Sequence, residues 1–385
     1  MIPYSRQDID QADIDSVVRV LKSDFITQGP VLPVFEKEFS SIVKAQFGVG
    51  VNSATSALHL ACLSLGLNSG DRLWTSPNTF VASANCALYC GASVDFVDID
   101  PNTFNMCPHA LEEKLEREEK TGCLPKIVVP VHFAGRPCEM KKIWELSQKF
   151  GFRVIEDASH ALGASREGTV VGSCEYSDIA VFSLHAIKLI TSGEGGIAVT
   201  NDEGLAKKLA RLRSHGITRQ KPEMERPDQG SWYYEQIDLG YNYRMTDMAA
   251  ALGLSQLSKI EKFLEKRRKI AKGYSDSLGQ LPLVLPLNEA NVRPAWHLYV
   301  VRVDPSQSKL SRDNVFDLLR ETGIGVNVHY IPIHMQPYYQ KMGFRLGDFP
   351  LSEKYSKEAL SLPIFPSLSL DERAKVTSAL LHIFS

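Results

Sequence analysis

Between about residues 45 and 200, short segments rich in β-branched residues alternate with longer segments of helical periodicity. Strands are predicted at 94–98, 127–131, 153–156, 179–182 and 197–200, and helices at 54–65, 140–150 and 203–214. This alternation is typical of crossover connections between strands. It therefore predicts an α/β protein whose sheet is largely parallel and covered by helices on both faces.

The chain has 385 residues, which is more than one hydrophobic core usually holds, so two domains are expected. A long helical pattern over 245–278 would link them. The later predicted elements are a strand at 298–303, a helix between Ser311 and Gly323, a strand at 325–330 and a helix at 370–383. We therefore assign 1–250 to a large domain, and 251–385 to a linking helix and a smaller C-terminal α/β domain. The polar segment 219–231 is expected to be a loop.

Composition excludes several classes of function. The formal net charge is −2, and lysines and arginines are spread along the chain, so nucleic acid is not an expected partner. No apolar run is long enough for a bilayer, and the first residues do not resemble a secretion signal, so we expect a cytoplasmic protein without membrane contact. The seven cysteines show no paired C-x-x-C spacing, so neither disulfides nor a metal site is expected.

The segment after the predicted strand at 179–182 carries the first chemical signal, because it places Ser183, His185 and Lys188 before a Gly-rich turn. Its sequence is FSLHAIKLITSGEGG. A lysine that loses its charge by burial becomes a good amine nucleophile toward an aldehyde. The alternative is an ordinary surface lysine on a loop, which composition alone favours.

A second signal follows the predicted strand at 153–156, in the segment VIEDASHALGA. The carboxyl edge of a parallel sheet is the usual place for a ligand, so Asp157 would point into a crevice there. A carboxylate beside a pyridine nitrogen keeps that nitrogen protonated, since an opposite charge within ~4–6 Å shifts a pKa by about 1–3 units. Alternatively, Asp157 only caps the helix that follows.

Two further segments are weaker alone. NSATSAL, at 52–58, opens a helix whose free amides could bind a phosphate, although Ser and Thr at such positions are first of all helix caps. SPNTFVASAN, at 76–85, contains Phe80, which could stack on a flat ring or simply belong to the core.

Taken in order, these segments resemble the DegT-type sugar aminotransferases, within the fold type I superfamily of pyridoxal phosphate enzymes. The likeness covers nearly the whole chain. It is carried by IPYSRQDID, DFITQGP, NSATSALHLA, EDASHALGA, FSLHAIKLITSGEGG, RSHGITR, LGYNYRMTDMAAALGLSQL and VHYIPIH. The resemblance implies a large domain with a mostly parallel, seven-stranded sheet, and pyridoxal 5'-phosphate as cofactor.

The resemblance also implies roles for individual residues. Lys188 would form the Schiff base with the cofactor, Asp157 would pair with the pyridine nitrogen, and His160 would lie by the ring hydroxyl. The other implied cofactor contacts are Phe80, which stands where some relatives have Trp, and Ala54, Thr55, Ser183 and Asn242. Asn242 would reach the phosphate of the partner subunit, which implies a homodimer with shared active sites. The implied substrate contacts are Tyr4, Asp24, Phe25, Ile26, Thr27, His329 and Tyr330.

The resemblance implies a reaction in two stages, in which L-glutamate aminates the cofactor and the cofactor aminates a nucleotide-linked keto sugar. Within the family, the likeness is greatest to the aminotransferases of the pseudaminic acid pathway, which act at position 4 of a UDP-linked 4-keto-6-deoxy-N-acetyl hexose of the L-series. A UDP-4-keto-pentose is the alternative substrate. Family members that carry His in place of the lysine act as dehydratases or sensors, so the presence of Lys188 favours transamination.

Overall fold

A computed structural model describes residues 1–385. The helices are α1 Gln11–Leu21, α2 Val31–Val43, α3 Ala54–Ser64, α4 Ala82–Tyr89, α5 Pro108–Glu119, α6 Met140–Phe150, α7 Glu203–Leu212, α8 Asp247–Leu257, α9 Ile260–Leu278, α10 Arg312–Glu321, α11 Pro337–Gln340, α12 Pro350–Glu358 and α13 Leu370–Ile383. The strands are β1 Phe47–Val51, β2 Arg72–Thr75, β3 Ser93–Phe96, β4 Ile127–Val129, β5 Arg153–Asp157, β6 Ser165–Arg166, β7 Thr169–Val170, β8 Ile179–Ser183, β9 Gly196–Thr200, β10 Ile217–Thr218, β11 Glu235–Gln236, β12 Leu283–Val284, β13 Val292–Arg293, β14 Tyr299–Val303 and β15 Ala359–Leu362.

The main sheet has seven strands in the order β1-β9-β8-β5-β4-β2-β3. Strands β8, β5, β4, β2 and β3 pair in parallel, and β9 is antiparallel to both of its neighbours, β8 and β1. The predicted α/β class and mostly parallel sheet are therefore confirmed. Because β1 and β8 run in the same direction, their carboxyl ends share an edge with the carboxyl end of β5.

Both faces of this sheet are buried, as the near-continuous apolar strands require. Along β4, Ile127 and Val129 pack into the core under α3, α4 and α7, whereas Val128 packs into a separate core with α5 and α6. Along β8, Val181 and Phe182 likewise point to opposite faces, and Phe182 meets α2 and the region of α8 and α9. Helices therefore cover both faces of the sheet at β4 and β8, and the carboxyl ends of the strands are left for a site.

A second, antiparallel sheet of β12, β14 and β15 packs with α9, α10 and α13 around its own apolar core. Helix α10 is capped by Ser311, as the sequence predicted, and Asn314 completes a capping box. The division of the chain into domains at 1–250 and 251–385 stays a prediction, and residue 250 itself lies within α8.

Two sequence predictions were wrong in detail. The helical pattern over 245–278 forms two helices, because the chain turns at Ser258 and Lys259, whose ammonium contacts Asp13 at 2.5 Å. That turn lets α8 pack on α1 and α2 while α9 continues toward the second sheet.

The segment 325–330 forms no continuous strand, since only Asn327 makes a bridge to Ser361. Its beginning pairs instead with the N-terminal segment, where the Gly325 amide donates to the Ile2 carbonyl at 2.6 Å. None of the helices is both long enough and apolar enough to cross a membrane.

Arg267, on α9, joins the linking helix to the second sheet. Its side chain is fully buried, and its Nη1 donates to the carbonyl oxygens of Trp296, His297 and Ile364 at 3.1, 3.2 and 3.0 Å. A buried guanidinium is costly unless its donors are used, and here Nη1 serves three carbonyls in two different segments while Nε and Nη2 have no partner within the chain.

We expect Arg267→Met to lower the free energy of unfolding by about 3 kcal/mol, since three carbonyls, two of them in buried hydrogen bonds, lose their donor while the desolvation cost of one charge is relieved. Lys269→Met is the control, because Lys269 is exposed on the same helix and makes only a surface ion pair with Glu265. It should change the free energy by less than about 0.5 kcal/mol. Urea unfolding of both variants tests this, and equal stabilities would contradict it.

Candidate active site

The carboxyl edge of the main sheet opens into a cavity of about 600 Å³. Strand β5 ends there at Asp157 and β8 ends there at Ser183, while Gly196 of β9 pairs with both Ser183 and Val51. The lining residues are Tyr4, Ser53, Ala54, Thr55, Leu58, Thr79, Phe80, Ala82, Val131, Asp157, Ser159, His160, Ser183, His185, Ile187, Lys188, Glu194, Gly195, Asn327, Val328, His329 and Tyr330. The cavity therefore gathers the ends of β1, β5 and β8 with the 327–330 segment.

Lys188 lies in the turn between β8 and β9, and its side chain is partly buried. Its ammonium forms no salt bridge. Burial lowers the pKa of Lys188 to about 8, against the opposing effect of the Asp157 charge. Lys188 therefore has a free amine in about a tenth of molecules at pH 7 and about half at pH 8, far more than an ordinary surface lysine.

Asp157 is buried at the end of β5 with 5 % of its surface exposed. Its Oδ2 accepts a hydrogen bond from the Ser83 hydroxyl at 2.6 Å, and its Oδ1 accepts from the Ser159 amide at 3.1 Å. Donors to both oxygens favour the ionised carboxylate. No helix follows directly, so the alternative of a helix cap is not what this geometry provides.

His160 is a buried imidazole on the cavity wall. It packs against His297 with ring centroids 4.3 Å apart, and its Nε2 lies 3.3 Å from the Tyr330 hydroxyl. Burial, together with the nearby Lys188 charge, lowers the pKa of His160 well below its usual value. The ring is thus neutral, and its buried Nδ1 has no partner within the chain.

The first turn of α3, beside β9, carries backbone amides that could bind an anion. Ser53 caps the helix by accepting a hydrogen bond from the Ser56 amide at 3.1 Å. The amides of Ala54 and Thr55 lie in the first turn and therefore have no acceptor inside the helix. A side chain at Gly196 could not be accommodated, because its Cβ would lie 2.4 Å from the Ala54 nitrogen. Glycine there lets the helix start close to the sheet edge, where Ser183 adds a hydroxyl.

Aromatic and polar groups complete the wall opposite the sheet. The Phe80 ring is 58 % exposed although it lines the cavity, so it is a flat apolar surface available to a ligand rather than a core residue. His329 Nδ1 lies 2.8 Å from the Ser361 hydroxyl, and burial lowers the pKa of His329 to about 4. Burial also raises the pKa of Tyr330, so its hydroxyl stays protonated.

Not every residue predicted from the sequence lies in this cavity. Asn242 is exposed and lies outside it, as do Asp24, Phe25, Ile26 and Thr27. These two groups are close to each other, since Thr27 forms a bridge with Thr246 and the Asp247 amide donates to the Ile26 carbonyl. Asn242 itself forms a bridge with Ser214. The roles of these residues stay predictions.

Sequence reasoning missed several lining residues, among them Thr79, Glu194 and Asn327. Thr79 precedes the singled-out Phe80, and Glu194 belongs to the SGEGG turn, so both stood within segments already considered. Asn327 carried no such signal, because its position depends on how the 325–330 segment meets the N-terminal segment.

The cavity fits pyridoxal phosphate on several independent observations. The free α3 amides suit a phosphate, the exposed Phe80 ring suits a flat heterocycle, and the unpartnered His160 Nδ1 suits a polar ring substituent. Lys188 has a lowered pKa at the same cavity in which the Asp157 carboxylate accepts a hydrogen bond from Ser83. Together these features define an enzyme of the pyridoxal-phosphate-dependent class.

Comparison with known proteins gives the family. Residues 7–381 match the DegT/DnrJ/EryC1/StrS aminotransferase family. The chain belongs to this family, and it is a pyridoxal-phosphate-dependent sugar aminotransferase.

Individual relatives match over nearly their full length. The spore coat polysaccharide biosynthesis protein SpsC of Bacillus subtilis is 40 % identical over 99 % of this chain and 97 % of its own. The structure of Helicobacter pylori PseC, an aminotransferase of pseudaminic acid biosynthesis, matches with a TM-score of 0.90 at 30 % identity, covering 100 % of this chain and 99 % of PseC. The pyridoxal phosphate form of the sugar aminotransferase Spr1654 from Streptococcus pneumoniae matches with a TM-score of 0.87 at 27 % identity, over 100 % of both chains.

The lowered pKa of Lys188 predicts how its amine responds to pH once the cofactor is removed. A reagent such as acetic anhydride attacks only the neutral amine, so labelling of Lys188 in the apoenzyme should rise with pH to a midpoint near 8. Ordinary exposed lysines should continue to gain reactivity up to ~10.4. Asp157→Asn removes the charge that raises this pKa, so its midpoint should lie lower. Peptide mass spectrometry measures the labelling, and a Lys188 midpoint equal to that of exposed lysines would contradict the assignment.

Proposed function

We propose that this enzyme transfers an amino group from L-glutamate to position 4 of a UDP-linked 4-keto-6-deoxy-N-acetyl hexose of the L-series, UDP-2-acetamido-2,6-dideoxy-β-L-arabino-hex-4-ulose. The observation that carries the proposal is the full-length likeness to PseC, whose pathway builds pseudaminic acid, joined to a cavity with the matching cofactor features. The segments IPYSRQDID, DFITQGP and VHYIPIH support the same subgroup.

Lys188 is the proposed catalytic base. When bound, pyridoxal phosphate supplies an aldehyde that takes up the amino group and a ring that accepts the electron pair left by proton loss. Lys188 anchors the cofactor at rest, and its free Nζ then takes the proton from the α-carbon of the amino donor. A pKa of about 8 suits this work, because the amine is uncharged in an appreciable fraction at neutral pH.

Asp157 is the proposed partner of the pyridine nitrogen. Its buried carboxylate holds the proton on that nitrogen, since two hydrogen-bond donors favour the charged state of the carboxylate. The neutral His160 would donate or accept through its free Nδ1 at the ring hydroxyl. The proposed contacts of the phosphate are the amides of Ala54 and Thr55 and the hydroxyl of Ser183.

Polar groups opposite the sheet are the proposed recognition elements for the sugar. Tyr4, His329 and Tyr330 were expected from the sequence, and Asn327 joins them in the structure. A buried polar group that pairs with the acetamido substituent discriminates strongly, because a substrate without that substituent leaves it unpaired. The 6-methyl group discriminates less, at about 1–3 kcal/mol.

A homodimer with shared active sites is proposed because Asn242, the expected phosphate contact, is exposed and lies outside the cavity of its own subunit. Lys188 is the only lysine or arginine that lines the cavity of one subunit, although the ligands carry phosphates and carboxylates. The 24–27 segment, which contacts the chain just after Asn242 at Thr246 and Asp247, exposes Phe25 and Ile26, and large exposed apolar side chains favour an interface. A partner subunit would bring this surface to the cavity.

Hybrid dimers test the shared site. Lys188→Ala and Asn242→Ala should each be inactive or nearly so, because the first lacks the amine and the second lacks a phosphate contact. Random mixing of the two chains should restore up to about a quarter of the wild-type sites, since each hybrid holds one intact site. Absence of any regain, with exchange of subunits shown by native mass spectrometry, would mean that Asn242 serves its own subunit.

A substrate panel tests the proposed reaction. With glutamate as donor, we expect higher kcat/KM for the UDP-linked N-acetylated L-series 4-keto sugar than for UDP-4-keto-pentose or a dTDP-linked 4-keto-6-deoxy hexose. The polar partner of the acetamido group should account for a preference of at least about tenfold. Mass spectrometry and NMR of the products give the position and stereochemistry of the amine. A preference for either competing sugar would overturn the substrate while leaving the sugar aminotransferase in place.

A further inference from the structure

Asp157 accepts a hydrogen bond from α4, a helix whose first residue, Ala82, lines the cavity. The donor is Ser83, in the first turn of α4. Ser83 is fully buried, and its Oγ lies 2.6 Å from Asp157 Oδ2. Behind it, Thr79 Oγ1 lies 2.9 Å from Ser83 Oγ and is also buried. The two hydroxyls and the carboxylate therefore form a continuous chain of hydrogen bonds within the protein.

The direction of these hydrogen bonds follows from the number of protons available. An ionised carboxylate only accepts, so the single proton of Ser83 must lie toward Asp157. Ser83 can then only accept from Thr79, which fixes the proton of Thr79 as well. The chain runs from Thr79 to Ser83 to Asp157, and reversal would leave the carboxylate oxygen without its donor.

We propose that Ser83, oriented by Thr79, is a positioning residue that holds the Asp157 carboxylate in a fixed orientation toward the cofactor ring nitrogen. The inference rests on the proposed role of Asp157. A carboxylate with 5 % exposure loses most of its hydration, and burial without donors favours its neutral form. The Ser159 amide lies two residues from Asp157, whereas Ser83 connects the carboxylate to α4, a separate element of the fold.

The hydrogen-bond chain that ends at Asp157 begins at a residue of the cavity wall. Thr79 lines the cavity next to Phe80, the proposed stacking surface, so one short segment would set both the plane of the ring and the charge opposite its nitrogen. Removal of the Ser83 hydroxyl should weaken the carboxylate's hold on the proton of that nitrogen without removing any group that touches the sugar.

The test uses holoenzyme that contains pyridoxal phosphate labelled with ¹⁵N in the ring. In Ser83→Ala, the ring-nitrogen resonance should move toward that of unprotonated pyridine, and kcat should fall by roughly tenfold while KM for the sugar stays unchanged. Thr79→Val keeps the shape of the side chain but removes the donor to Ser83. It should move the resonance in the same direction by a smaller amount.

Two control variants separate this role from packing. Thr79→Ser keeps the hydroxyl and should restore the wild-type resonance. Ser64→Ala removes another buried hydroxyl, on α3, which has no partner and lies outside the cavity lining, so it should change neither the resonance nor kcat.

Asp157→Asn, measured in the same way, separates the two levels of the proposal. If Asp157→Asn moves the resonance while Ser83→Ala and Thr79→Val both leave it at the wild-type position, the positioning role is overturned and the role of Asp157 stands. If Asp157→Asn itself leaves the resonance in place, Asp157 does not hold the ring nitrogen and both proposals fail. Should Ser83→Ala not fold, Thr79→Val decides the outcome alone.

Discussion

The buried charge of Asp157 constrains the active site more than any other group. A carboxylate at the end of β5 with 5 % exposure requires donors on both oxygens, and Ser83 and Ser159 supply them from two different segments. The same charge acts on Lys188, where it partly opposes the effect of burial and leaves the pKa of the amine at about 8. The fold therefore has to place the ends of β5 and β8 side by side, with α4 next to them. The parallel pairing of β5 with β8 provides the first part of this arrangement, and the hydrogen bond from Ser83 connects α4 to Asp157.

Much of the main sheet could be predicted because its strands are buried on both faces and therefore read as short apolar segments. Helices Met140–Phe150 and Leu370–Ile383 begin and end where the sequence predicted. Strands Phe47–Val51 and Arg72–Thr75 were not predicted, since the first contains two glycines and the second begins with a charged residue. The break between α8 and α9 was also missed, because the apolar periodicity continues through Ser258 and Lys259, while the contacts of this turn with Asp13 are tertiary.

In the site as well, residues in recognisable local segments could be predicted, whereas residues placed by tertiary contacts could not. Lys188, Asp157, His160 and Phe80 lie in segments with a recognisable order, and the structure brings them to one cavity. Ser83 and His297 could not be found in this way, since their contacts with Asp157 and His160 join positions 74 and 137 residues apart along the chain. The roles of Asn242 and of the 24–27 segment remain predictions, because they concern a surface of the subunit rather than its own cavity.

Unpartnered buried atoms distinguish the site from the core only when they are combined with a cavity. His160 Nδ1 and Trp74 Nε1 are both buried without a partner, at a cost of about 1–3 kcal/mol each. Trp74 lies in the core beneath α5, where the Lys114 ammonium lies 4.7 Å from the ring centroid, and it does not line the cavity that holds Lys188. His160 lines the cavity that also holds Lys188, so a ligand can meet its free nitrogen there. The cost at His160 is therefore one that ligand binding can relieve, whereas the cost at Trp74 persists whatever the enzyme binds.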